Sequence, residues 1–258
     1  MDEQQKPMPP ELRAAAVFRE HPRWQVVDHS GTPARGPLED TFAWEERSLE
    51  AVGRGEDLPL LHLWRHEKAL VLGYRDTRLP RWAEAAEALR AEGYEVPVRL
   101  SGGTAVPLDA GVLNVSLVYP ARALRIEDGF DAMYALLRVA LAGLRLRATR
   151  GLVPGGYCPG DSDVAVGGRK VAGIAQRRRR LASLVHAFVL VEGEGASRAG
   201  LAARFYALAA PGVDPGPPGK GPYPEVHPEA VQSLSEAAGR PVRVGELAGA
   251  LAALLAPH

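Results

Sequence analysis

Strand-like and helical segments follow one another irregularly along this chain of 258 residues, and their order constrains the fold more than any other feature. The helical patterns cover 41–55, with Asp40 or Thr41 as a cap, 81–94 after Pro80, and 129–147. The strand-like patterns cover 58–66, 69–74, 95–100, a hairpin at 163–176 around Gly167-Gly168, and 182–193. Clustered strands with helices between them favour an α+β domain with a mixed β-sheet and flanking helices. The lack of a regular strand–helix–strand rhythm disfavours a doubly wound parallel sheet.

The two ends of the chain differ from this central part. Residues 1–39 are loosely patterned and are predicted to be an N-terminal extension, whereas 40–258 is predicted to be a single domain. Within that domain a Pro/Gly-rich loop at 211–224 precedes two predicted helices, at 227–239 and 243–256.

Charge and hydropathy exclude several classes of function. Lys plus Arg and Asp plus Glu both number 31, so the formal net charge is zero and gives no electrostatic reason to expect nucleic acid or a membrane as partner. No apolar stretch approaches the ~18 residues of a membrane span, and the first residues lack the basic-then-apolar pattern of a signal peptide. We therefore expect a cytoplasmic protein.

Cys158 is the only cysteine, which excludes a disulfide within the chain and a thiolate-rich metal site. The remaining interpretations are a buried apolar filler and a nucleophile. Glycine and proline flank the residue on both sides, which predicts a turn with the thiol near a loop surface. The ammonium of Lys170 is the candidate group for activating the thiol, but spacing alone leaves both interpretations open.

Two glycine-bearing segments are candidates for a ligand site. Ser101-Gly102-Gly103 lies between strand-like segments, and adjacent glycines allow a backbone to approach a ligand closely, although a plain hairpin turn has the same pattern. In the segment 168–176, small residues such as Gly173 lie beside Lys170 on a predicted strand. Small side chains in a strand leave room for another group.

Other polar residues have structural interpretations that compete with functional ones. His62 and His66 are four apart but lie in a predicted strand, so no metal site is expected there. His186 in a strand is more typical of a core histidine than of a base. Arg177–Arg180 is either a solvated strand edge or a surface that steers an acidic partner.

Five motifs in order resemble a known family. They are LGYRDTRLP, VRLSGGTAVPLDAGVLNVSL, GYCPGDSDVAVGGRKVAGIAQRR, LVEGEG and YPEVHPEAVQSLSE. Together they span roughly residues 40–255 and are similar to the biotin/lipoate ligase-type cofactor transferases, in particular to the amidotransferases of lipoate assembly.

The resemblance implies a mixed-sheet α+β catalytic domain with an acyl tunnel and a cysteine thioester intermediate. The catalytic roles would belong to Cys158 as nucleophile and Lys170 as the group that activates it. The implied acyl-binding residues are Arg99, Ser101, Gly102, Gly103, Thr104, Ala105, Asn114, Asp163, Gly173, Ala175 and Gln176. For Asp163 and Asn114, only the resemblance favours a ligand contact over a turn or strand role.

The same resemblance implies the reaction and its partners. An octanoyl or lipoyl group would move from a lysine of glycine cleavage system H protein to a lysine of lipoyl domains of 2-oxoacid dehydrogenase complexes, with no ATP and no other cofactor. The ligase relatives have an arginine where this chain has Val98 and a third glycine where it has Thr104, which points away from an ATP-dependent ligase. After Gln176 the transferases often have a glycine-containing turn, whereas this chain has Arg177–Arg180 followed by the segment 181–186.

Three alternatives remain open from the sequence. An ATP-dependent lipoate-protein ligase would need an adenylate pocket and often a small further C-terminal domain, for which the helices after residue 225 leave little room. An octanoyltransferase could instead take its acyl group from acyl carrier protein and pass it to H protein. A non-catalytic protein that binds lipoyl domains would not need the thiol.

Overall fold

The computed structural model of the protein describes residues 8–217 and 221–256. The strands in these ranges are β1 (Gln25–Ala34), β2 (Leu60–His66), β3 (Lys68–Val71), β4 (Val106–Asp109), β5 (Val112–Pro120), β6 (Ala148–Arg150), β7 (Val164–Val166), β8 (Arg169–Arg178) and β9 (Ala182–Leu190). The helices are α1 (Pro10–Arg13), α2 (Ala16–Glu20), α3 (Leu38–Arg54), α4 (Trp82–Ala91), α5 (Ile126–Gly143), α6 (Gly195–Ala209), α7 (Leu234–Ala238) and α8 (Val244–Leu255).

The main sheet has seven strands in the order β1-β2-β5-β9-β8-β7-β6, and a second sheet pairs β3 with β4. β1 runs parallel to β2, while the other neighbouring strands of the main sheet are antiparallel. The predicted α+β fold with a mixed sheet and flanking helices is therefore confirmed. The predicted hairpin is also present, because Gly167 and Gly168 both have positive φ between β7 and β8.

The two faces of the main sheet are covered by different layers. Helices α5 and α8 pack on one face, with α1 and α2 against α5, and Leu113, Val115 and Leu117 of β5 belong to this core. On the opposite face, α3 contacts β5 and β9, and the second sheet packs there together with α4 and α6. The main sheet is therefore the middle layer of the fold.

The space between the main sheet and the second sheet holds the loop that contains Cys158. Tyr157 and Cys158 belong to the same buried cluster as residues of β3, β4 and α6. Because successive residues of a strand point to opposite faces, Asn114 and Ser116 of β5 face this second layer while their neighbours face the first. The thiol thus lies between two packed layers.

The predicted strand at 95–100 is wrong in its extent. This segment forms only isolated parallel bridges to the β3 region, Ala69 with Glu95 and Leu72 with Val98. Leu72 N donates to the carbonyl of Pro97 at 2.8 Å, but Pro97 has no N–H to return. The missing donor interrupts the ladder and leaves an extended connection instead of a strand.

The first of the two predicted C-terminal helices is also wrong in its extent, whereas the second is present as α8. A short 3-10 turn at Pro228–Ala230 is followed by extended residues, and Gln232 N donates to Lys170 O at 2.9 Å. α7 begins only after Ser233, which forms a capping box with Glu236. Pairing with β8 thus divides the segment that the periodicity predicted as one helix.

Much of the segment predicted as an N-terminal extension, 1–39, lies within the packed fold. β1 is the edge strand of the main sheet, and α1 and α2 pack on α5. Residues 1–7 of that segment and residues 218–220 of the Pro/Gly-rich loop at 211–224 lie outside the described residues. In the described ranges, no helix is both long enough and apolar enough to cross a membrane.

Candidate active site

Two rows of side chains on adjacent strands of the main sheet underlie the site. The first row consists of the register partners Trp64 on β2, Asn114 on β5, Phe188 on β9 and Gly173 on β8. The second row consists of His62, Ser116, His186 and Ala175 on the same four strands. A Cβ at Gly173 would lie 2.6 Å from the Phe188 ring, so glycine is needed for the ring to lie across β8.

The whole first row, together with His186 and Ala175 of the second, lines an apolar cavity. About 440 Å³ there is unoccupied by protein atoms, and part of this space is open to solvent. The lining residues are Phe42, Trp64, Val71, Arg99, Val106, Leu108, Asn114, Cys158, Gly173, Ile174, Ala175, His186 and Phe188. The cavity thus combines a largely hydrocarbon surface with a thiol, a guanidinium, the amide of Asn114 and the imidazole of His186.

Cys158 is held in a loop, as predicted, but the residue is only 9% exposed, so the expectation of a surface thiol is wrong. The loop packs inward because the Tyr157 ring stacks on Phe188 at 5.5 Å between centroids. Cys158 has φ of +46°, a left-handed conformation that costs a non-glycine residue free energy. The surrounding contacts hold the thiol in this orientation at the cavity.

Two N–H donors point at the Cys158 sulfur. Thr104 N lies 3.3 Å from Sγ, and Arg99 Nη2 lies 3.4 Å from it. Arg99 is itself fixed, because its guanidinium also donates to the carbonyls of Val71 and Thr104. Both donors would stabilise negative charge on the sulfur.

Gly103 lies directly against the thiol. Its φ is +97°, and a Cβ there would lie 2.6 Å from Cys158 Sγ and 2.6 Å from Arg99 Nη2. Gly102 differs, since its Cβ would meet no atom within 4 Å, although its carbonyl accepts from Arg99 Nε at 3.2 Å. Only the second glycine of the pair is therefore required by close packing.

Lys170 lies beside the Cys158 loop but bonds to oxygens. Its Nζ donates to Tyr157 O at 2.9 Å, Cys158 O at 2.8 Å and Asp163 Oδ1 at 2.8 Å. An ammonium has three N–H donors, so these bonds account for all of them. The predicted pairing of Lys170 with the thiol is thus absent from this arrangement, and the lysine holds the backbone of the loop that contains Cys158.

The remaining predicted acyl-binding residues divide between the cavity and its surroundings. Asn114, Gly173 and Ala175 line the cavity. Gln176 instead donates to Ser183 Oγ at 2.6 Å, and neither it nor Asp163 is among the lining residues. Ala105 N donates to Tyr206 Oη at 3.0 Å, away from the thiol.

Ser101 is connected to the cavity through His186. Its Oγ lies 2.7 Å from His186 Nε2, and His186 lines the cavity. Burial, together with the charge of Arg99, lowers the pKa of His186 to about 4. The imidazole is therefore neutral at pH 7.

Sequence reasoning missed most of the apolar lining, including Phe42, Trp64 and Phe188. Alternation along β2 and β9 could have placed the last two on one face, but not opposite the second sheet. Glu45 was also missed: it accepts from Trp64 Nε1 at 3.1 Å and Ser116 Oγ at 2.6 Å. Burial opposes its charge, but hydrogen bonds from His62 and Ser116 outweigh this and lower its pKa.

Most of the arginine run bonds within the chain. Arg177 and Arg179 both pair with Glu46, and Arg178 donates to the carbonyls of Ala121 and Leu124. Arg180 is exposed. Among the described residues there is no group of three or more His, Cys, Asp or Glu side chains that could hold a metal ion.

Comparison with known proteins relates the chain to enzymes that attach lipoyl or octanoyl groups to proteins. The model of the lipoyl protein ligase A/B catalytic domain matches residues 37–256. An octanoyl-[GcvH]:protein N-octanoyltransferase of Geobacillus kaustophilus is 44% identical over 235 residues, covering 89% of this chain and 81% of the relative. Its namesake from Bacillus velezensis is 38% identical over 232 residues, covering 89% and 80%.

A solved structure supports the fold. The bipartite lipoate protein ligase of Thermoplasma acidophilum, studied with its E2 lipoyl domain, matches with a TM-score of 0.61 and 22% identity, covering 89% of this chain and 80% of that chain. At this identity the likeness concerns the fold alone. The family match over residues 37–256 shows that the chain belongs to the lipoyl protein ligase A/B catalytic domain family.

Proposed function

We propose that this protein is an acyltransferase of lipoate assembly that moves an octanoyl group from a lysine of glycine cleavage system H protein to a lysine of lipoyl domains, through a thioester on Cys158. The observation that carries the proposal is a thiol with two N–H donors at an apolar cavity. The names of the relatives in Geobacillus and Bacillus support octanoyl transfer from GcvH.

The reaction exchanges one amide for another. The Cys158 thiolate attacks the carbonyl carbon of the octanoyl amide, a C–S bond forms, and the C–N bond breaks as the donor lysine amine takes up a proton. The acceptor lysine amine then attacks the thioester, loses a proton and releases the thiolate. Because the bonds broken and formed overall are of the same type, the transfer is close to thermoneutral and needs no ATP.

The contacts of the thiol suit the first step. Arg99 and the Thr104 amide stabilise the thiolate, and such charge-assisted hydrogen bonds are stronger than neutral ones. Lys170 acts on the nucleophile indirectly, by holding the carbonyls of Tyr157 and Cys158. This assigns to Arg99 the electrostatic role that the sequence suggested for Lys170.

The cavity suits the acyl chain. Its lining is mostly aliphatic and aromatic, and each buried methylene contributes about 0.8 kcal/mol, so an octanoyl chain gains several kcal/mol on entry. The lipoyl group has the same eight-carbon backbone, so the proposal includes it as a second acyl group.

The test is intact-mass analysis after mixing the protein with octanoylated H protein in the absence of ATP. We expect an octanoyl adduct that hydroxylamine removes and that Cys158→Ala lacks, followed by transfer to a lipoyl domain. Transfer at the normal rate by Cys158→Ala would contradict the thioester mechanism.

The same assay separates the alternatives. Attachment of free octanoate only with ATP would indicate a ligase, and an adduct formed only from octanoyl-acyl carrier protein would indicate the other donor. A protein that binds lipoyl domains but never carries an adduct would be a non-catalytic binder.

A further inference from the structure

The segment Gly103–Ala105, which brings the Thr104 amide to the thiol, is held on its far side by groups that the proposed mechanism does not use. Ala105 N donates to Tyr206 Oη at 3.0 Å. Tyr206 lies on α6 and is 2% exposed. The position of the donor to Cys158 Sγ therefore depends on a helix distant in sequence.

Asp76 connects this tyrosine to a second support. Its Oδ1 accepts from Tyr206 Oη at 3.2 Å, and its Oδ2 accepts from Gly73 N at 2.7 Å. Gly73 packs on Gly103 so closely that a Cβ would lie 2.8 Å from the Gly103 carbonyl carbon. One fully buried carboxylate thus ties together Tyr206 and Gly73, which contact the 103–105 segment in addition to Arg99.

The hydrogen-bond directions are consistent with this arrangement. A tyrosine hydroxyl has one donor and two acceptor positions, so Tyr206 can donate to Asp76 and still accept from Ala105. Asp76 belongs to the motif LGYRDTRLP, which the reaction itself leaves without a role.

We propose that Asp76 and Tyr206 are positioning residues that act through the Gly103–Ala105 backbone to hold the Thr104 amide against the Cys158 thiol. The expected effect of these two residues on the rate of octanoyl transfer rests on the proposed function. Their expected effect on the reactivity of the Cys158 thiol can be measured without any acyl substrate.

The test compares Tyr206→Phe with Tyr134→Phe, which removes a hydroxyl on α5 that donates to Ala148 O at 3.3 Å. In Tyr206→Phe we expect alkylation of Cys158 by iodoacetamide to slow and its pH profile to move upward. We also expect kcat for octanoyl transfer to fall about tenfold with KM unchanged, less than the ~10²–10³ for outright loss of an oxyanion donor. Tyr134→Phe should match the unmodified protein in both assays.

Asp76→Asn provides a second variant of nearly the same size. Its side chain keeps one acceptor for Gly73 N and can donate to Tyr206 Oη, so we expect a smaller change in alkylation and in kcat in the same direction. If circular dichroism shows that Tyr206→Phe does not fold, Asp76→Asn decides the question. Alkylation profiles of folded Tyr206→Phe or Asp76→Asn that coincide with that of Tyr134→Phe would overturn the inference. If the unmodified protein transfers no octanoyl group, the proposed function fails, yet the alkylation comparison still tests this inference.

Discussion

Replacing Gly103 with alanine tests the packing at the thiol most directly. The residue has φ of +97°, where an L-residue costs about 1–3 kcal/mol. The new Cβ would lie 2.6 Å from Cys158 Sγ, compared with roughly 3.5 Å for an ordinary contact. The Cβ would lie equally close to Arg99 Nη2, so the thiol and the guanidinium must both move by about 1 Å. A displacement of this size can lower a rate by ~10²-fold.

The assay is the rate of octanoyl-thioester formation by quenched intact-mass analysis, with urea unfolding measured in parallel. We expect Gly103→Ala to lose about 10²-fold in rate and about 1–3 kcal/mol in the free energy of unfolding. Gly102→Ala is the matched control, because its Cβ meets no atom within 4 Å. Equal rates for the two variants would refute the reasoning that the thiol needs glycine at residue 103.

Three further predictions concern charged groups. Burial raises the pKa of Asp76 to about 6, so this carboxyl keeps its proton to higher pH in the folded state than in the unfolded state. Its ionisation therefore lowers the free energy of unfolding between pH ~4 and ~6. Asp76→Asn lacks this pH dependence, so its free energy of unfolding relative to the unmodified protein should rise by up to about 3 kcal/mol from pH 4 to 7. A difference between the two proteins that stays constant with pH in urea unfolding would contradict this. Lys170→Met should cost about 3–5 kcal/mol because the Asp163 carboxylate stays buried without its partner, and adding Asp163→Asn should recover part of the loss in the same assay. Arg180→Gln should slow transfer to an acidic acceptor domain at low salt only, with no change for a small octanoyl thioester; an equal effect on both substrates would exclude steering.

The local patterns of the sequence predicted most elements correctly because those elements depend on short-range chemistry. Nearly continuous apolar runs specify β2 and β9, which are buried on both faces. Gly167-Gly168 supplies the positive φ that the β7–β8 turn needs. The errors arose where distant segments meet. Pairing of Gln232 with Lys170 divided a predicted helix, and nothing in the local periodicity of 227–239 reports that contact.

The sequence by itself determined the fold class and family, and it identified Cys158 as the candidate nucleophile because the chain has one thiol set among turn residues. Only the tertiary structure decided which groups contact that thiol. Arg99 and Thr104 reach Sγ from more than fifty residues away, while Lys170, much nearer in sequence, bonds to carbonyls and Asp163. The physical reason is that hydrogen bonds depend on distances of about 3 Å in space, which layer packing sets and sequence spacing does not.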